Sequence, residues 1–376
     1  MNKLWGLLLV AAFFAPVLAF SSNGHENEHH GDGHVDKEWA DMSKEERQAD
    51  IKGHIQHHLL DSYEFNIMSD YSDKNNVKHY GFPLPVILWD EGLHVFMASE
   101  FEHGNAVAES NGKFYKLYHN KIYRVDSAEG HLSMDEHGHP TNATPFDLSI
   151  TKNVLSSLLV ALLIFFIFRG VAKAYKNTLS PTGSAKFFEP IILFVRDEIA
   201  IPNIGEKHYA RYMSYLLTVF FFIWIVNLTG LTPLGINVTG NIAVTACLAI
   251  ITFIITQVSG KKDYWMHIFW MPGVPVPMKI ILAPIELLGV FIKPFALMIR
   301  LYANISAGHI VLMSLLALIF IFDNWFARGA FFGLSFLLSI IELLVAFLQA
   351  YIFTMLTALY FGSAVEEHDH EHAHAH

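Results

Sequence analysis

Five ionisable side chains stand inside two long apolar stretches where almost nothing else is charged. Glu286, Lys293, Arg300 and His309 lie between Pro277 and Phe322, and Glu342 lies between Phe326 and Phe361. At membrane depth each such group costs a few kcal/mol even on the most forgiving insertion scale, so it needs a partner or a task. Glu286, Lys293 and Arg300 recur every seven residues, which puts them on one face of a helix, and Glu342 and the amide Gln349 share a face of the next for the same reason. Internal salt bridges are one way to tolerate such groups. So many in two hydrophobic segments more readily describe a path along which an ion moves.

The elements that must hold these residues are membrane spans. The 376-residue chain is 53% hydrophobic and 16% charged, but most of the charge sits in the first 150 residues. Beyond them come apolar runs of the roughly 20 residues that a hydrocarbon core of about 30 Å requires. The first is expected from about Asn153 to Phe168, the second from Met213 to Leu231 and the third from Ala243 to Val258. The last two segments exceed the length of an upright span and must tilt, kink or lie partly flat. Between the first and second spans, Phe187, Phe188, Ile191, Ile192, Val195 and Ile199 recur at helical spacing among charges, which suggests an amphipathic helix on the cytoplasmic surface. Arg169, Lys173 and Lys176 after the first span, and Lys261 and Lys262 after the third, mark the cytoplasmic side. The N-terminus is then outside and the tail inside.

Ahead of the spans, residues 1–20 carry Lys3, an apolar run and small residues near Ala19, the pattern of a signal peptide. Residues 21–51 are rich in His, Asp, Glu and Gly and too poor in large apolar groups to hold a core. Short aromatic and β-branched runs in residues 52–150, with Tyr118-His119-Asn120-Lys121-Ile122-Tyr123 reading as a hairpin, predict a small β-rich extracytoplasmic domain. Residues 151–363 form the membrane domain and 364–376 a His-rich cytoplasmic tail. The expected fold is thus an all-α polytopic membrane protein with about five embedded helices and an appended β-rich domain. The single Cys247 allows no intramolecular disulfide. A net charge of −10 makes nucleic acid an unsuitable partner.

The stretch from Pro294 to His309, Pro-Phe-Ala-Leu-Met-Ile-Arg-Leu-Tyr-Ala-Asn-Ile-Ser-Ala-Gly-His, resembles the signature of subunit a of F-type ATP synthases. Leu348-Gln349-Ala350-Tyr351-Ile352-Phe353-Thr354-Met355-Leu356-Thr357 resembles the second signature, and the likeness runs from about Phe146 to Phe361. It implies that Arg300 is the essential arginine facing the rotor ring and that Gln349 sits near it as a neutral neighbour. It places Asn304, His309 and Glu342 along an outer half-channel and Glu286 at the inner exit. The implied partners are a rotor ring of small hairpin c subunits, peripheral stalk b subunits and the lipid bilayer of a bacterial inner membrane. No cofactor is implied. ATP chemistry belongs to other subunits, since no Gly-rich phosphate loop followed by Lys and Ser or Thr is present.

Two departures from the family pattern matter. Bacterial relatives commonly have Glu at the His309 position and His at the Glu342 position, and this chain has them exchanged. Many relatives read Asn-Leu-x-Asp where this chain has Asn227-Leu228-Thr229-Gly230, so a carboxylate is missing from the outer side. The competing class is a divalent metal-ion transporter with His-rich soluble segments. It would need several His, Asp or Glu ligands converging near the bilayer midplane, where a central arginine would repel the ion.

Overall fold

The computed structural model describes residues 61–70, 78–135, 139–177, 184–232, 236–271, 274–322 and 324–366. The expected signal peptide, the acid- and His-rich segment that follows it, and nearly all of the C-terminal tail lie outside the described residues. Two compact units divide the chain: Met1–Ser157 with Thr229–Val244 and Ser306–Glu342, and Leu158–Leu228 with Thr245–Ile305 and Leu343–His376.

The N-terminal part of the first unit is built from strands β1 (Glu64–Asp70), β2 (Lys78–Pro83), β3 (Pro85–Trp89), β4 (Leu93–Met97), β5 (Val107–Ser110), β6 (Lys113–Tyr118), β7 (Lys121–Val125) and β8 (Phe146–Asp147). They pair as β1-β2, β4-β3-β8 and β5-β6-β7, every pair antiparallel. The β6-β7 hairpin pairs Tyr118 with Lys121 across His119 and Asn120. Both turn residues have positive φ, 44° and 59°, the geometry whose twist matches that of the flanking strands. Val86 and Leu88 of β3, Phe96 of β4 and Tyr115 of β6 close a core around Phe101.

Polar groups tie these strands to the first helix, α1 (Lys152–Asn177). The Asp61 carboxylate accepts hydrogen bonds from the backbone N–H of Ser62 (3.0 Å) and of Asn153 (3.1 Å). Burial raises its pKa above the usual carboxylate value even though those donors, the Thr151 hydroxyl and the Lys152 ammonium favour the ion. Tyr63 donates to Asp147 at 2.5 Å, and Asp147 also accepts from the N–H of Ser149 at 2.8 Å. The buried carboxylates are therefore satisfied, as burial requires.

After α1 come α2 (Ser184–Phe194), a π-helical stretch Val195–Ala200, α3 (Ile201–Ile204), α4 (Tyr209–Gly230), α5 (Ile242–Ser259), α6 (Lys262–Phe269), α7 (Val276–Ile321) and α8 (Trp325–Val365). Five of them, α1, α4, α5, α7 and α8, are long and apolar enough to cross a membrane, and the chain is a polytopic membrane protein. Helix α1 continues past Phe168, so Arg169, Lys173 and Lys176 decorate its last turns instead of a loop. A fall in hydropathy marks where a helix leaves hydrocarbon, not where its hydrogen bonding ends. Helix α7 has 46 residues and runs unbroken through Pro284 and Pro294, and α8 has 41. At a rise of about 1.5 Å per residue they are about 69 and 62 Å long.

In the second unit an aromatic cluster packs α2, α4 and α8 together. Phe194 and Phe220 lie 6.3 and 5.8 Å from Phe347 between ring centroids, and Tyr212 lies 4.7 Å from Phe361. Gly362 completes the seam, because a Cβ there would fall on the Asn203 carbonyl oxygen and 2.9 Å from its carbon. Backbone cannot swing aside as a side chain can. Gly362→Ala is expected to cost about 1–3 kcal/mol through overpacking, read as a lower midpoint of denaturation in detergent. Gly333→Ala, which meets open space, should leave that midpoint unchanged or higher.

Candidate functional site

The residues singled out by sequence fall on two helices, and the structure distributes them between buried and exposed faces. Helix α7 carries Glu286, Lys293, Arg300, Asn304 and His309, and α8 carries Glu342 and Gln349. Glu342, Gln349 and His309 are buried at 6%, 3% and 7% exposure, whereas Arg300 and Asn304 are exposed and Glu286 is half-buried. The long helices thus turn Glu342, Gln349 and His309 inward and leave the permanent cation outward with Asn304.

Within the first unit the Glu342 carboxylate is packed on the residue that precedes the imidazole. The Glu342 carboxylate lies against Gly308, the residue before His309, closely enough that a Cβ at 308 would collide with Oε1. Glu342 Oε2 is buried with no hydrogen-bond partner among the described residues. A Cβ at Gly230 would stand 3.0 Å from His309 Nε2 and 3.1 Å from the Ile236 carbonyl oxygen. Two glycines therefore wall the pair, one beside the carboxylate and one beside the ring. In the sequence Gly230 stands out only as a missing carboxylate, whereas in the structure a Cβ there would crowd the His309 ring.

Ser335 extends the α8 row. It is buried at 3% exposure, its Oγ lacks a hydrogen-bond partner among the described residues, and it precedes Glu342 by seven positions, as Glu342 precedes Gln349. That sevenfold spacing was available in the sequence and pointed to Ser335 as a member of the same face.

In the second unit Arg300 stands in an exposed row of α7 with Ala296, Ala303 and Asn304. Among the described residues no carboxylate forms a salt bridge with it. The small residues beside it leave room for a neighbouring backbone to approach closely, as helix interfaces in membranes do. Lys293 lies two turns away and caps a small cavity lined by Thr252, Thr256, Gln257, Tyr264 and Tyr360. Its Nζ is 5.7 Å from the centre of the Tyr360 ring. Gln257 donates to the Tyr264 hydroxyl at 3.3 Å, and burial pushes the pKa of that hydroxyl above its ordinary value. The sequence offered no sign of these partners, because Thr252, Thr256 and Tyr360 are unremarkable in apolar helices until a cation is packed against them.

Residues 154–362 match the family model for the ATP synthase A chain, and residues 54–148 match that of a domain of unknown function, DUF8433. ATP synthase subunit a of Chloroherpeton thalassium is 44% identical over 230 residues, which cover 60% of this chain and 69% of that protein. ATP synthase subunit a 2 of Chlorobaculum tepidum is 44% identical over 233 residues, 60% of this chain and 65% of that one. ATP synthase subunit a of Chlorobium phaeobacteroides strain DSM 266 is 36% identical over 343 residues, 86% of this chain and 97% of its own length.

Proposed function

The chain belongs to the ATP synthase subunit a family, and from that premise we propose that it is the proton-conducting stator subunit of the complex, working against a ring of small hairpin c subunits. A ring carboxylate arriving from lipid is protonated. Opposite Arg300 its ionised form is favoured, and its proton leaves through one aqueous half-channel. Once past the arginine it is protonated again from the other. The guanidinium keeps its charge where an ammonium would be neutralised by desolvation. It also repels protons, so no direct leak joins the two half-channels and rotation becomes the only route across.

The observation that carries this reading is a division of labour on one helix pair: Glu342 and His309 are both buried, the carboxylate against Gly308, and Arg300 is exposed on the same α7. Glu342, His309 and Asn304 serve the outer half-channel, with Glu286 at the inner exit and Gln349 as the neutral neighbour of Arg300. The basic residues after the first and third spans put the N-terminal domain outside and the tail in the cytoplasm. The remaining contacts of the stator are with peripheral stalk b subunits and lipid. A divalent-cation transporter is the poorer reading, because it would gather ligands around the ion. Among the described residues no three His, Cys, Asp or Glu side chains meet in that way.

The test exchanges the acid and the imidazole. His309→Glu and Glu342→His should each depress ATP-driven proton pumping in inverted vesicles, and the double variant should recover part of it. Equal loss in all three would mean that the two side chains do not work as a pair.

A further inference from the structure

Strand β4 alternates strictly: His94 and Phe96 point into the core while Leu93, Val95 and Met97 are exposed at 54%, 57% and 43%. In an antiparallel sheet with one face on its core, the outward positions are ordinarily polar. Here none is. Across the ladder Trp89 pairs with Leu93 and Ile87 with Val95, and Phe146 of β8 sits beside Trp89, so all belong to one surface without a charged side chain. A contiguous exposed apolar patch of this kind marks an interaction site.

What covers it follows from where the sheet is anchored. After β8 the chain stays on β3, with Leu148 N–H donating to the Ile87 carbonyl (2.8 Å) and Ile150 N–H to that of Pro85 (3.2 Å). Lys152, the first residue of the spanning helix α1, donates to the Ser62 carbonyl at 2.8 Å. Phe146 is thus six residues from the start of a membrane span, a reach of at most about 20 Å. The Asp61 hydrogen bonds to Ser62 and Asn153 hold this junction, so the sheet is not on a free tether. Uncharged surface rich in Trp and Phe, fixed beside the end of a span, has the chemistry of the membrane–water interface.

We propose that the outer face of the β4-β3-β8 sheet rests on the lipid bilayer, with Trp89, Val95 and Phe146 seated at the headgroup level. The face then contacts lipid instead of binding a soluble partner.

Nitroxide labels report this directly. The assembled complex carrying Cys247→Ser is labelled at Val95→Cys, at Leu93→Cys as a second position on the face, and at Glu109→Cys as an exposed control. Each is reconstituted in liposomes of phosphatidylethanolamine and phosphatidylglycerol. Relaxation of the label by oxygen, which concentrates in lipid, is compared with relaxation by a water-soluble nickel chelate. The oxygen-to-nickel ratio at the two sheet positions is expected to exceed that of the control several-fold. A ratio equal to the control overturns the proposal, since the face is then open to water. Protection from both reagents also overturns it, since a protein neighbour then covers the face.

Discussion

Arg300→Ala is expected to abolish ATP-driven proton pumping while leaving the complex assembled. The cause is electrostatic. A ring carboxylate gives up its proton at membrane depth only where a fixed positive charge favours the anion. Without that charge its ionisation meets a penalty of a few kcal/mol. At about 1.4 kcal/mol per tenfold, that is roughly 100-fold or more in the population of the ionised state. Because Arg300 is exposed on α7 among small residues, its removal leaves no cavity and strands no buried partner in this subunit, so the fold should be unaffected. Arg300→Lys should also fall well short of wild type, because an ammonium is a point charge that desolvation can neutralise. Pumping and co-purification of the ring, measured on the same vesicles, decide the matter. Wild-type pumping by Arg300→Ala would remove Arg300 from the site.

Gly308→Ala is expected to have the next largest effect, at least a tenfold loss of pumping by the assembled complex. The added methyl would stand well inside the van der Waals contact distance of Glu342 Oε1. Gly308 lies within α7, so the helix cannot retreat locally without breaking its own hydrogen bonds, and the carboxylate must move instead. Buried carboxyl groups are held in place by what surrounds them, and a displacement near 1 Å is enough to separate proton carriers from one another. Shortening the acid should make room: Gly308→Ala combined with Glu342→Asp is expected to pump better than Gly308→Ala alone. Gly308→Ala behaving as wild type would show that the Glu342 carboxylate does not use that wall.

The spanning helices could be placed from sequence, because long apolar runs have few alternatives in hydrocarbon, but not all of their ends could: α1 runs to Asn177, nine residues past the expected Phe168, and α4 begins at Tyr209, four before the expected Met213. Arg300, His309 and Glu342 were equally visible, since charge in such a run is conspicuous. The glycines were not. Gly308, Gly230 and Gly362 matter because of a carboxylate, an imidazole and a backbone carbonyl from distant parts of the chain, and local sequence carries no trace of those neighbours. The π-helical stretch Val195–Ala200 was hidden for a similar reason, as its apolar spacing fits an ordinary helix. Nor did the prolines at 284 and 294 announce an unbroken α7. In membranes neighbouring helices and local adjustment satisfy the groups that proline frees.

The packing of Gly230 against His309 bears on how such a chain can change over generations. With an imidazole at 309, any side chain at 230 is crowded, and a carboxylate most of all, because it would press on both the ring and the Ile236 carbonyl. The two positions are therefore not free to drift separately. An acid at 230 would meet the histidine ring at once, so a change at either position alters what the other can hold.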